Sequence, residues 1–140
     1  RFGCSARIIM GAFSSSQNYK MILIDPILKP DLEEIIDNIR VEHWDQQCET
    51  YASKFENNSI DILHIDTDPH WYDQVKNQFD LYKDKIKKGG CIIFHDCTPL
   101  FGIYKFVHEE LEVVDGWRVE YSTPKEECAI SAPAVAWKVK

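Results

Sequence analysis

Asp61 to Tyr72 reads DILHIDTDPHWY, and Gly90 to Pro99 reads GCIIFHDCTP. Each is an apolar run that stops abruptly in acids and histidines. A buried strand ending at a carboxylate delivers that carboxylate to the edge of a sheet, where ligands of open α/β sheets bind. Between the two runs, Tyr72, Val75, Phe79, Tyr82 and Ile86 recur every three or four residues. That spacing predicts a helix over Tyr72 to Lys87. Lys88-Gly89-Gly90 then supplies the chemistry of a helix C-terminus.

The same alternation continues on both sides. Ser5 to Phe13 has helical apolar spacing with Ser5 placed as its cap, and Ser14 to Asn18 is a polar break. Lys20 to Asp25 (KMILID) is a short strand ending at an acid. Asp31 to Ile39 reads as a helix capped by Asp31, with Glu34 at the capping-box offset. Val41 to Trp44 is a weak strand and Cys48 to Phe55 a short helix. Ile60 to Ile65 and Cys91 to Phe94 are strands, Gly102 to Leu111 is a helix, and Trp117 to Tyr121 and Ala134 to Val139 are strands. Alternating strands and helices predict an α/β fold with a doubly wound, mostly parallel, Rossmann-like sheet. The last two strands have no helix-length segment between them, so an antiparallel C-terminal strand is expected. No strand precedes the first helix. The expectation is one domain over residues 1–140, N-terminally incomplete and cut from a longer protein.

The chain has 140 residues and a formal net charge of -7. An acidic surface disfavours nucleic acid and anionic bilayers, whose phosphates need Lys and Arg. Lys83, Lys85, Lys87 and Lys88 form a local basic cluster that reads as the solvated end of a helix. No apolar stretch reaches the roughly 18 residues of a membrane span. The five cysteines, Cys4, Cys48, Cys91, Cys97 and Cys128, are odd in number and lack CxxC spacing. That argues for reduced thiols and a cytoplasmic location over a disulfide framework or zinc knuckle.

With this order of elements and these strand ends, the sequence resembles class I S-adenosylmethionine-dependent methyltransferases, and most of all the small-molecule O-methyltransferases of macrocin and catechol type. The most specific stretch is DILHIDTDPHWYDQVKNQFDLYKDKIKKGGCIIFHD. It is similar to that group's strand, Asp-x-Asp-His-type loop, helix, Gly-Gly, strand and His-Asp. The final APAVAWKVK resembles the group's last strand, and Arg1 to Ser5 the second half of its glycine-rich cofactor loop. The first half of that loop, with its acid and glycine, has no counterpart here.

The resemblance implies S-adenosylmethionine as cofactor. Gly3 and Ser5 would let the backbone approach its methionine end, although taken alone they read as an ordinary helix cap. Asp25 would accept hydrogen bonds from the ribose hydroxyls, or simply begin the turn at Pro26. Asp45, Gln47 and Cys48, beside Gln46, follow the weak strand Val41 to Trp44 at the corner that contacts adenine in the family; Trp44 would stack on the ring or pack in the core. His64 sits inside an apolar run and reads as a core histidine. Asp66 lies at its strand end and faces metal or substrate in the family. His70, in the loop beyond, is the candidate general base, since its ordinary pKa suits proton removal near neutrality. Asp68 would orient His70 or cap the next helix. His95 and Asp96 end the neighbouring strand, so Asp66, His95 and Asp96 form a candidate site for Mg²⁺ or Mn²⁺. Thr98 to Tyr104 would shape the acceptor pocket.

The expected reaction is in-line methyl transfer to a hydroxyl of a small-molecule acceptor, with or without a divalent ion, in a protein whose homo-oligomerisation the sequence leaves open. Two rivals stand beside it. One is a non-catalytic domain of the same fold within a larger protein. The other is a metal-dependent hydrolase or hydroxylase-like enzyme, which needs His64, Asp66 and His70 on one ion. An NAD-linked oxidoreductase is disfavoured because GxGxxG is absent.

Overall fold

The computed structural model describes residues 8–9, 11–12, 18–26, 40–122 and 132–140. The described residues of the expected first helix are helical. The Ser5 cap and the helix expected over Asp31 to Ile39 lie outside the described residues. The chain divides into two compact units, Arg1–Tyr51 and Ala52–Lys140.

In the first unit, β1 (Met21–Ile24) pairs in parallel with β2 (Val41–Trp44), in register from Met21 opposite Val41 to Ile24 opposite Trp44. The Asp25 N–H donates to the Trp44 carbonyl at 3.1 Å, so the ladder continues to the strand's acidic tip. A helical turn, α1 (Cys48–Tyr51), follows β2 and leads into a 3-10 turn over Ala52–Lys54.

The second unit is a four-stranded sheet in the order β3 (Ile60–Ile65), β4 (Ile86–Phe94), β6 (Ala134–Lys138), β5 (Trp117–Tyr121). β3 and β4 are parallel, and β6 runs antiparallel to both β4 and β5. The expected antiparallel C-terminal strand is therefore inserted between β4 and β5. A helix, α2 (Tyr72–Tyr82), connects β3 to β4. The connection from β4 to β5 starts as α3 (Gly102–Lys105), widens into a π turn over Phe106–Glu110 and tightens to 3-10 geometry at Leu111–Val113. Both helical segments cover the sheet. Val75 and Phe79 from α2, and Ile103, Phe106 and Leu111 from the later segment, are buried against Ile92, Phe94, Ala134 and Ala136. Burying such side chains supplies roughly 1.5–3 kcal/mol each, which holds the strand ends in place.

The helix expected over Tyr72 to Lys87 ends at Tyr82. Ile86 continues the helical apolar spacing, but it is fully buried as the first residue of β4, opposite Ile60. A turn over Lys83 to Lys85 separates helix from strand, with Lys85 N–H donating to Tyr82 O at 2.8 Å. The Lys138 ammonium fastens this turn to the sheet by donating to the carbonyls of Lys83 (3.1 Å) and Ile86 (2.9 Å). Gly89 and Gly90 are thus not a helix stop. They lie in a bulge of β4, because Ile60 pairs with Ile86 but Ile62 pairs with Cys91. Three lysines of the basic cluster have polar partners: Lys83 with Asp80, Lys85 with Asn57, Lys87 with Asp61. Among the described residues Cys48, Cys91 and Cys97 are thiols outside any disulfide. Among the described residues no helix is long and apolar enough to cross a membrane.

Candidate active site

Parallel pairing of β3 with β4 sets Ile65 opposite Phe94. The next residues, Asp66 on one strand and His95-Asp96 on the other, therefore emerge side by side at the C-terminal edge. The His95 N–H donates to Ile65 O at 2.9 Å and locks this juxtaposition. The chain then turns sharply. Asp96 takes a left-handed conformation with φ of 50°, which aspartate tolerates better than most residues. The Thr98 N–H closes the turn onto Asp96 O at 2.8 Å.

His70 arrives from the loop between β3 and α2. Its ring stacks on Phe101 with centroids 4.9 Å apart, and its carbonyl accepts from Ile103 N–H at 3.3 Å. The two loops are pressed together at Gly102, where a Cβ would stand 2.2 Å from Tyr72 N. His70 Nε2 consequently lies 3.4 Å from Asp96 Oδ2 and 4.0 Å from Asp66 Oδ1. His95 Nδ1 lies 3.1 Å from Asp96 Oδ1 and 3.4 Å from Asp66 Oδ1. One ligand atom from each of Asp66, His70, His95 and Asp96 falls within 4.8 Å of the others.

These short separations are not hydrogen bonds. His70 Nε2, His95 Nδ1 and Asp96 Oδ1 are buried and lack a hydrogen-bond partner. Buried polar atoms ordinarily have partners, and leaving one without costs about 1–3 kcal/mol. Here the lone pairs converge on a common space instead of on one another. Two carboxylate oxygens and two imidazole nitrogens can hold a divalent ion of the Mn²⁺ or other transition type. At a metal–ligand distance near 2.1 Å, adjacent donors stand about 3.0–3.4 Å apart, close to three of the four separations. The donor set thus fits a metal. It equally suits a hydroxyl that must be gripped and deprotonated.

The sequence places His70 as a base apart from a three-residue metal set; the structure brings all four residues into one cluster. His64 stays out of it. Burial holds its pKa below the ordinary value, against the pull of Asp66, and its ring meets His95 edge-on at 5.8 Å. A hydrolase-type site built on His64, Asp66 and His70 is therefore not assembled. Asp68 is exposed and does not cap α2, whose N-cap is Trp71 with no side-chain cap bond. Sequence reasoning missed Phe101 and Gly102 as the support beneath His70; the glycine at the start of a helix was the only signal.

In the first unit, Asp25 sits at the tip of β1, its carbonyl contacting His43 Nε2 at 2.9 Å. Asp45 accepts from the Tyr51 hydroxyl at 3.1 Å, and Trp44 packs on Tyr51 with ring centroids 4.7 Å apart. Trp44 thus has a ring partner within its own unit. Gln47 is exposed, and Cys48 is a partly buried thiol whose pKa is pushed up to about 12, first by burial and then by Glu49. It acts as a neutral group, not a thiolate. Gly3 and Ser5 lie outside the described residues. A cavity of about 300 Å³ beside Asp61, Lys88, Gly90 and Trp137 lies at the starts of β3 and β4, away from the four-residue cluster.

Comparison with known proteins identifies the family and the fold. A family model described as a methyltransferase domain matches residues 1–97. No curated protein matches the chain. Among solved structures, a protein from Corynebacterium glutamicum superposes with a TM-score of 0.68 at 15% identity, covering 89% of this chain and 63% of its own. The O-methyltransferase TomG from Streptomyces achromogenes, involved in tomaymycin synthesis and solved with S-adenosylmethionine, gives 0.63 at 10% identity, covering 97% of this chain and 80% of its own. An rRNA methylase from Streptococcus thermophilus gives 0.62 at 8% identity, covering 100% of this chain and 99% of its own. At such identities the likeness is one of fold, and the fold serves acceptors as different as these. The chain belongs to the methyltransferase-domain family, with the α/β fold that S-adenosylmethionine-dependent methyltransferases share.

Proposed function

We propose that this chain carries out methyl transfer from S-adenosylmethionine to a hydroxyl of a small-molecule acceptor. The observation that carries the reading is the convergence of Asp66, His70, His95 and Asp96, with three of their polar atoms buried and lacking hydrogen bonds. A cluster of this composition is suited to a group it must bind and deprotonate. In the proposed arrangement Asp66 and Asp96 orient the acceptor hydroxyl. His70 Nε2, facing both carboxylates, takes its proton. The carboxylates then stabilise the imidazolium, and Phe101 keeps the ring in plane. Proton removal of this kind contributes about 10²–10⁴ in rate. Fixing the acceptor against the methyl donor contributes further by removing rotational freedom.

S-adenosylmethionine supplies the electrophilic methyl group. For it, Asp25 offers a carboxylate at a strand tip suited to ribose hydroxyls, and Asp45, Gln47 and Cys48 offer a polar corner suited to adenine. Gly3 and Ser5 would serve its methionine end. A divalent ion, Mg²⁺ or Mn²⁺, would be held by Asp66, His95 and Asp96, and would supply a Lewis acid that lowers the hydroxyl pKa.

The test uses the complete protein with a panel of hydroxyl acceptors, following S-adenosylhomocysteine release. Asp66→Asn, Asp96→Asn and His70→Gln should each lower turnover about 100-fold or more, while S-adenosylhomocysteine affinity by calorimetry stays unchanged. Unaltered turnover in the Asp66 and Asp96 variants would sink the assignment. Calorimetric Mn²⁺ titration of the same variants reads the metal separately, and binding should vanish with Asp96→Asn.

A further inference from the structure

β5 is the outermost strand of its sheet among the described residues, with β6 on one side and no strand on the other. Natural edge strands are ordinarily blunted by short length, charged side chains, proline or a bulge. β5, WRVEY, has no proline and no bulge, its two charges are of opposite sign, and its pairing with β6 runs without interruption from Trp117 opposite Lys138 to Tyr121 opposite Ala134. Trp117, Val119 and Tyr121 turn towards the packed core, while Arg118 and Glu120 are exposed on the other face, at 64% and 55%.

The geometry points to β5 as the self-complementary edge through which two copies of this chain form an antiparallel dimer, joining their sheets into one. The argument is one of register. Residues directly opposite in an antiparallel pair lie on the same face. A two-fold pairing centred between residues would set Arg118 opposite Val119 and turn the packed face of one copy to the solvent side of the other. The centre must therefore fall on a residue. Centring on Arg118 opposes two arginines, and centring on Glu120 opposes two glutamates. Centring on Val119 sets each Arg118 opposite the other copy's Glu120 and each Trp117 opposite the other copy's Tyr121. Of these central registers, only the last joins opposite charges, and it adds aromatic pairs on the packed face.

Contacts within one copy already prepare the charged face. Glu120 Oε1 holds Arg118 Nη2 at 3.1 Å, and Glu120 Oε2 accepts from the Trp137 indole at 3.1 Å. A guanidinium has five donors, so Arg118 can keep its own glutamate and bind the second copy's. The four charges then alternate around the two-fold axis.

Sedimentation equilibrium on the chain should show a monomer–dimer equilibrium below about 200 µM. Arg118→Glu and Glu120→Arg should each weaken the dimer about tenfold or more, because each substitution acts twice and opposes like charges. An equimolar mixture of the two variants should recover dimer as a mixed species, since the paired acids of one variant then face the paired arginines of the other. The double variant that combines Arg118→Glu with Glu120→Arg, exchanging the two charges, should dimerise like the parent. Recovery on mixing also demonstrates that both single variants are folded. A parent chain that stays monomeric, single variants that dimerise as tightly as the parent, or a mixture that fails to recover would each overturn the proposal.

Discussion

Gly102→Ala separates the packing of the site from its chemistry. A Cβ at this position would stand 2.2 Å from Tyr72 N, and 2.9 Å from both Trp71 C and Tyr72 Cα. Every one of these neighbours is backbone, so no side chain can rotate away; the start of α2 or the Thr98–Gly102 loop must move. Overpacking of this kind costs about 1–3 kcal/mol. Alanine returns part of that, about 0.5–1 kcal/mol, because Gly102 opens a helical segment where alanine is the better residue. The net expectation is a loss of up to about 2.5 kcal/mol, or up to about 10 °C in Tm for a chain of this length. The displacement also reaches His70, whose carbonyl is bonded to Ile103 N–H and whose ring lies on Phe101. Turnover should therefore fall about tenfold or more even at about 20 °C below Tm, where the folded fraction is unchanged. Differential scanning calorimetry and an S-adenosylhomocysteine release assay on the same preparation read both effects. An alanine variant that melts at or above the parent temperature with full turnover would refute the close packing of the two loops and the support it gives His70.

Two further predictions follow from backbone strain and burial. Asp96 holds a left-handed φ of 50°, so Asp96→Gly should raise stability by about 0.5–1 kcal/mol in urea denaturation while abolishing turnover, whereas Asp96→Ala should lower it. His64 is kept neutral by burial, its pKa lying below the ordinary 6.5. The unfolded chain thus binds a proton at His64 before the folded one does, and stability is lost as pH falls through 6.5 towards the folded value. His64→Leu should flatten the fall in urea-denaturation midpoint between about pH 7.5 and 5.5 relative to the parent, and an identical slope in the two proteins would count against a buried neutral His64.

The strands KMILID, DILHID and CIIFHD were legible because each is a short apolar run that ends at an acid. The register of DILHI against CIIF follows from parallel pairing once both runs are strands, and with it the meeting of Asp66 and Asp96. Ile86 was not legible. Four residues beyond Tyr82, it satisfies a helical stripe as well as it satisfies a strand, and only its pairing with Ile60 decides the matter. The place of His70 was legible in kind but not in geometry. Its position depends on Gly102 and Phe101, which lie more than thirty residues away, and local patterning carries no information at that range.

The glycine pair changes meaning in consequence, and the site depends on it. Between Ile60 and Ile62 of β3 the partner strand advances from Ile86 to Cys91, so β4 absorbs its extra residues in the Lys87–Gly90 bulge. Gly89 takes a φ of 82° there, and a Cβ on Gly90 would lie 2.7 Å from Asp61 O. Neither conformation nor space admits a side chain at these positions without strain. The bulge determines which residue of β4 faces Ile65. A one-residue slip would turn each side chain beyond it to the opposite face of the sheet and would carry His95 and Asp96 away from Asp66. The four converging donors at one end of the strands are thus fixed by backbone geometry at the other, and the helix-stop signal of the sequence acts in the folded chain as the device that sets the register of the site.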